Sequence, residues 1–208
     1  MQRMNRDFML SRIRLIMANT YEFPCESGYR LHHGERVAKL AADIRDMENL
    51  AVDSTAMHFG AIMHDIGKAG CPKGVSHAVN GAKIVERNFA DILSREESAA
   101  ICEIIARHCD RPNGKWRCGQ EKPVLKPEVL AVQDADVLDH FGAQGIWISL
   151  HWAAAKNSSP IETARYWFDS QQSNDWRAEA ERSLNFESSR ATLKTLETEM
   201  NDFFQKWL

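Results

Sequence analysis

Ser94-Arg-Glu-Glu-Ser-Ala-Ala-Ile-Cys-Glu-Ile-Ile-Ala-Arg-His-Cys109 spells out one whole helix. Ser94 offers a side-chain oxygen to the free amides of a first turn, and Glu97 follows three places later, the reciprocal pairing of a capping box. Ile101, Ile104 and Ile105 recur at the helical period and form one apolar stripe. His108 continues that stripe, so an imidazole is aimed at the core. Arg111-Pro-Asn-Gly114 then ends the segment with a strong turn signal.

The same period recurs on both sides of this segment. Residues 4–18 predict a helix with Met9, Ile13, Ile16 and Met17 on one face. Leu31–Met47 predicts a second, burying Val37, Leu40, Ala41 and Ile44. Ser54–Ile66 is a third, closed by Gly67 and Gly70, and Ser76–Asn88 a fourth, with Ser76 as its cap. Pro127 opens Glu128–His140. Further helices are expected over Trp147–Lys156, Ile161–Trp167 and Ser189–Trp207, with Trp147, Trp152 and Trp167 placed in the core. Alternating runs rich in Val, Ile and Thr are missing, so the expectation is an all-α bundle. Asp110–Lys126 is the one long irregular stretch.

The 208 residues suggest a single domain over 1–208, with a core at about 30–140 and added C-terminal helices at about 146–207. Hydrophobic residues at 44% and charged residues at 26% argue against extensive disorder. A net charge of −3 lacks the basic excess of a nucleic-acid-binding chain. No apolar run approaches the roughly 20 residues that cross a bilayer. Arg6, Asp7, Arg12 and Arg14 interrupt the N-terminal apolar residues where a signal peptide needs a continuous core. Five cysteines without a CxxC pair suggest reduced thiols and a cytoplasmic location. Of these cysteines, Cys71 stands out for its nearness in sequence to His64-Asp65.

The informative feature is where His and Asp fall on the predicted helices. His33 lies one turn before Val37; His64 and Asp65 close the third helix; His77 shares a face with Gly81 and Ile84. His108 follows Ile105, and Asp136 follows Val129 and Val132. A single histidine on an apolar stripe is ordinarily a hydrogen-bonded core residue, and a single buried aspartate is ordinarily a cap or an ion pair. Several such residues converging are harder to explain separately, because each desolvated carboxylate costs several kcal/mol without a counter-charge. A divalent cation satisfies them together.

These positions resemble a known family. His33-Gly-Glu-Arg36-Val37, Ala61-Ile-Met-His64-Asp65-Ile-Gly-Lys68 and Asp134-Ala-Asp136-Val-Leu138-Asp139 are similar to the HD-domain phosphohydrolase superfamily. His77-Ala-Val-Asn-Gly81-Ala and Ile105-Ala-Arg-His108 resemble the extra histidines of its binuclear members. Gln133-Asp-Ala-Asp136, Phe141-Gly-Ala-Gln-Gly145-Ile, Leu184-Asn-Phe and Met200-Asn-Asp-Phe203 resemble a bacterial stand-alone subgroup, so the likeness spans about 30–205. Val137 stands where that subgroup usually carries a basic residue.

The resemblance implies that His33, His64, Asp65 and Asp136 hold one ion. Asp65 would bridge to a second, held by His77 and His108, giving one or two divalent ions. A nitrogen and carboxylate set without thiolate favours Mn, Fe, Co, Ni or Zn over Mg. The implied chemistry is attack of a metal-activated hydroxide on the phosphorus of a small phosphate ester or nucleotide. Catalytic roles are expected for Asp65 and Lys68. Substrate phosphate contacts are expected from Lys68, Arg107, Arg111 and Lys115, within a 107–126 segment of six basic and two acidic residues. Asp139, one turn after Asp136, could orient a ligand, and Asp134 could do the same or cap a helix. His58, His140 and His151 show no partner pattern. Two other functions use the same residues: a di-iron oxygenase, and a metal-binding module without catalysis.

Overall fold

The computed structural model describes residues 6–18, 20, 25, 28–110 and 124–208. Among them the regular structure is ten α-helices and one short 3-10 turn, with no strand. The chain is all-α, as its periodicity requires.

Helix α1 (Arg6–Met17) buries Met9, Ile13 and Met17, while α2 (Tyr29–Met47) buries His33, Val37, Ala41 and Ile44. α2 begins two residues before the expected start, following Gly28, whose φ of 80° reverses the chain into it. α3 (Ser54–Met63) is capped by Asp53, whose carboxylate accepts from the amides of Thr55 and Ala56 at 2.9 and 3.0 Å. It stops three residues short of the expected Ile66. His64 and Asp65 leave the helix and lead into a 3-10 turn at Ile66–Lys68.

α4 (His77–Asn88) follows Ser76, whose side chain makes no cap bond. α5 (Arg95–Arg107) has the expected capping box, with the Glu97 amide 3.2 Å from Ser94 Oγ and the Ser94 amide 2.8 Å from Glu97 Oε2. α6 (Pro127–Leu138) starts on its proline and ends before His140. α7 (Gly142–Lys156) begins five residues earlier than expected, through a Gly-Ala-Gln-Gly opening of weak signal.

α8 (Pro160–Asp169) is opened by a second capping box, Ser159 with Glu162. α9 (Gln171–Ser183) has no counterpart in the sequence expectation. α10 (Glu187–Gln205) completes the chain. Trp167 is buried, but Trp152 is 42% exposed, against its expected core placement. No helix among the described residues is long and apolar enough to cross a membrane.

α2 packs mainly on α3 and α6, α4 on α5 and the 3-10 turn, and α3 also on α5. α10 lies along α7 and touches α6, while α8 and α9 pair. Two glycines set the approaches that matter for the site. A Cβ on Gly34 would stand 2.2 Å from the Ile62 carbonyl oxygen, so α2 and α3 cross backbone to backbone beside His33 and His64. A Cβ on Gly67 would stand 1.8 Å from the His77 carbonyl oxygen, so the turn carrying Asp65 rests directly on the start of α4. Asp134 serves the far side of the bundle: its buried carboxylate accepts the amides of Asn185 and Phe186 at 2.9–3.0 Å. Leu184-Asn-Phe is thus the link pinned beneath α10 rather than part of that helix.

Candidate metal centre

Five helix-associated segments deliver polar side chains to one interior point. His33 comes from α2, His64 and Asp65 from the exit of α3, His77 from the first residue of α4, His108 from the end of α5, and Asp136 from α6. His33, His64, Asp65, His108 and Asp136 are all buried. The His77 side chain keeps 29% of its surface, so it stands at the mouth rather than inside.

His33 Nε2, His64 Nε2 and Asp136 Oδ1 form one group. His33 Nε2 is 3.2 Å from each of the other two, and His64 Nε2 is 3.7 Å from Asp136. His64 donates Nδ1–H to the Ala61 carbonyl at 2.7 Å, which leaves its Nε2 as a bare lone pair. Burial pushes the His64 pKa down to about 4, so that lone pair is available at neutral pH. His33 donates Nδ1–H to Asp139 at 2.7 Å, and Arg36 clamps both Asp139 oxygens at 2.8 and 3.0 Å. Burial works to lower the His33 pKa, but hydrogen bonds to Asp136 and Asp139 raise it overall. A proton on His33 Nε2 satisfies only one of its two facing acceptors. A cation between the three atoms would satisfy all of them, so the donor set fits a metal.

His77 and His108 form the second group, their Nε2 atoms 3.1 Å apart. His108 donates Nδ1–H to the Ile105 carbonyl at 2.6 Å, again leaving Nε2 as an acceptor. Asp65 stands between the groups. Its Oδ1 is 3.3 Å from His77 and 3.8 Å from His108, and its Oδ2 is 3.7 Å from His64. Oδ2 also meets Arg30 Nη1 at 2.6 Å and Lys68 Nζ at 3.0 Å. Desolvation alone would raise the Asp65 pKa, but His64, His77, Lys68 and Arg30 hold it well below the usual range. The bond to Asp65, then that to Cys109, raises His77 to about 9.

All six expected ligands and Lys68 therefore meet. Arg107 does not join them; it is half exposed and paired with Asp110 at 2.9 Å. Arg111 and Lys115 lie outside the described residues. Arg30, Arg36 and His140 were not foreseen. His140 donates to the Asp136 carbonyl at 2.8 Å and packs edge-on against His33. Cys71, the cysteine singled out in the sequence, instead turns its Sγ to the Val75 carbonyl. The thiol at the cluster is that of Cys109, 3.1 Å from His108 Nε2 and 3.6 Å from His77 Nε2.

The HD domain family model matches residues 30–140, the stretch that supplies every one of these ligands. The chain belongs to the HD domain family. This HD chain is 34% identical over 130 residues to YpgQ of Bacillus subtilis, a match covering 62% of this chain and 60% of that relative's length. Among solved structures, it is similar to a predicted HD superfamily hydrolase from an uncultured Thermotogales bacterium (TM-score 0.64, 19% identity, 97% of this chain and 90% of the other). YpgQ in complex with ADP gives a TM-score of 0.61 at 20% identity, over 96% and 91% of the two chains. An HD-superfamily hydrolase from Bacillus thuringiensis gives 0.65 at 18% identity, over 97% and 93%. At such identities the likeness to these structures is one of fold.

Proposed function

We propose that this HD-domain protein is a metal-dependent phosphohydrolase of a small phosphate ester or nucleotide. The carrying observation is that two imidazole groups share one buried carboxylate, Asp65, with the Lys68 ammonium beside it. Divalent Mn, Fe, Co, Ni or Zn, held by His33, His64, Asp65 and Asp136 and by Asp65, His77 and His108, would supply Lewis acidity for activating water and neutralising phosphoryl charge. Asp139, fixed by Arg36, holds His33 in the tautomer that presents Nε2. Arg30 holds Asp65 in place from the buried side. Lys68, one third exposed, can turn from Asp65 to a phosphoryl oxygen. The basic excess of the 107–126 segment, six basic residues to two acidic, would add a general attraction for the anion.

Two cavities lie beside the cluster, reaching it through His140 and Cys109 rather than through the ligands themselves, and have room for a substrate larger than a phosphate. One of about 390 Å³ is lined by Cys109, His140, Phe141 and Trp176, and one of about 620 Å³ by His140, Trp152, Tyr166, Trp167 and Trp176. They share His140 and Trp176, and their aromatic walls suit a planar base. YpgQ with bound ADP is consistent with a nucleotide here.

The test is a panel of nucleotides and phosphate esters assayed with each of these metals, on the wild type and on Lys68→Met. Metal-dependent phosphate release is expected. Lys68→Met should keep its metal content and lose roughly 10²-fold or more in kcat/KM, about 2.7 kcal/mol of transition-state stabilisation. Metal-loaded protein inactive on the whole panel would overturn the reading. Dioxygen consumption by iron-loaded protein would replace it with the oxygenase.

A further inference from the structure

The geometry points to Cys109 as a thiolate ligand, completing the His77–His108 position with a sulfur donor. This shares with the proposed function only the premise that the cluster takes up metal. Cys109 Sγ lies 3.1 Å from His108 Nε2 and 3.6 Å from His77 Nε2, and the two nitrogens lie 3.1 Å apart. A tetrahedral zinc with bonds of about 2.0–2.1 Å to nitrogen and 2.3 Å to sulfur spaces its nitrogens by about 3.4 Å and nitrogen from sulfur by about 3.6 Å. The three donor atoms are therefore already at coordination spacing, with Asp65 Oδ1 facing both imidazoles.

Sequence adjacency hides this triad. Neighbouring residues inside an α-helix point in different directions and do not share a ligand. His108 and Cys109, however, lie past the end of α5, in the turn closed by the Asp110 amide on the Arg107 carbonyl at 2.9 Å. There the Cys109 sulfur swings to the His108 ring edge. On metal uptake the proton held between the Cys109 sulfur and the His77 ring passes to solvent, and the sulfur and nitrogen lone pairs become donors. Two positions of different chemistry result. The His33–His64–Asp136 group is nitrogen and oxygen only, whereas the His77–His108–Cys109 group is softer. The softer position should select Zn, Co or Fe over Mn and Mg.

The test uses the full chain, stripped with chelator and titrated with Co(II) under argon. A sulfur-to-cobalt charge-transfer band in the near ultraviolet is expected in the wild type and in Cys71→Ser. It should vanish in Cys109→Ser while the visible cobalt bands of the other position remain. Zinc affinity at the affected position should fall by at least the 10–100-fold that loss of an outer partner costs. A band unchanged in Cys109→Ser, or bound cobalt without a band in the wild type, overturns the inference. Alkylation followed by mass spectrometry gives a measurement on unaltered protein. Zinc should protect Cys109 at least tenfold while leaving Cys71 reactive, and equal labelling with and without zinc refutes the assignment. None of these readouts needs a substrate, so phosphate release without a thiolate band would remove this inference and leave the proposed function standing.

Discussion

Asp65 is 3% exposed and faces Arg30, Lys68, His64 and His77. Its charge is thus held by a ring of donors, and removing it takes from buried Arg30 the carboxylate it meets at 2.6 Å. Breaking a buried pair this way costs about 3–5 kcal/mol, so Asp65→Asn, which keeps the shape, is the better probe than alanine. Both variants should lose turnover and most bound metal by elemental analysis, and unchanged metal content would deny Asp65 its place between the two groups. His77 makes the same centre proton-linked. Its pKa is raised to about 9 by Asp65 and then Cys109, so the metal-free protein carries an imidazolium there at neutral pH. The stability this gives the metal-free fold is complete below the unfolded value near 6.5 and is lost as pH rises through about 9. Metal must displace that proton, so uptake at the His77 position should strengthen with rising pH across this window. Calorimetry in two buffers of different ionisation enthalpy should show proton release, and a buffer-independent heat would contradict it.

The elements place these residues through a few backbone contacts that tolerate no added atom. Gly67→Ala would drive a methyl into the His77 carbonyl, and neither backbone can yield without moving Asp65 away from α4. We expect at least the roughly 1–3 kcal/mol of an overpacked core, a Tm lower by about 5 °C, and loss of the ion held by His77 and His108. Gly70→Ala, where nothing lies within 4 Å and only a φ of 62° opposes the substitution, should keep its full metal content. Equal metal content in both variants would show that the turn does not position Asp65. The helices that build this centre were legible because each buries a stripe with a histidine or aspartate in register: His33 before Val37, His108 after Ile105, Asp136 after Val132. Helix α9 was not, because Gln-Gln-Ser-Asn-Asp-Trp-Arg-Ala-Glu-Ala-Glu-Arg-Ser buries only Ser173, Ala180 and Ser183, too few for an apolar period to show. Arg30, Arg36 and Cys109 escaped for another reason. Their partners Asp65, Asp139 and His77 are 35, 103 and 32 residues away, and a long-range ion pair or thiol contact leaves no periodic trace.

At the scale of the molecule, the ligands and five of the six tryptophans occupy different halves of the sequence, Trp116 being the exception. Every ligand precedes residue 140, whereas Trp147 and Trp152 lie on α7, Trp167 on α8, Trp176 on α9, and Trp207 just past the end of α10. The halves are joined where α10 lies on α6 and α2, where Asp134 holds the amides of Asn185 and Phe186, and where Glu48 Oε1 accepts from the Ser188 amide at 3.0 Å. If these contacts make 1–208 one folding unit, as we propose, metal bound in the first half must stabilise the second. A ligand present at 100 times its Kd adds about 2.7 kcal/mol to the native state. At roughly 2–4 °C per kcal/mol for a chain of this size, chelation should lower Tm by about 5–10 °C. In a Trp116→Phe background, which confines the tryptophans to the second half, fluorescence and far-ultraviolet circular dichroism should report the same midpoint before chelation and shift together after it. Asp65→Asn should show the lower midpoint with or without chelator. A tryptophan transition that stays fixed while the helical signal moves would divide the chain into two units, with the metal centre stabilising only the first.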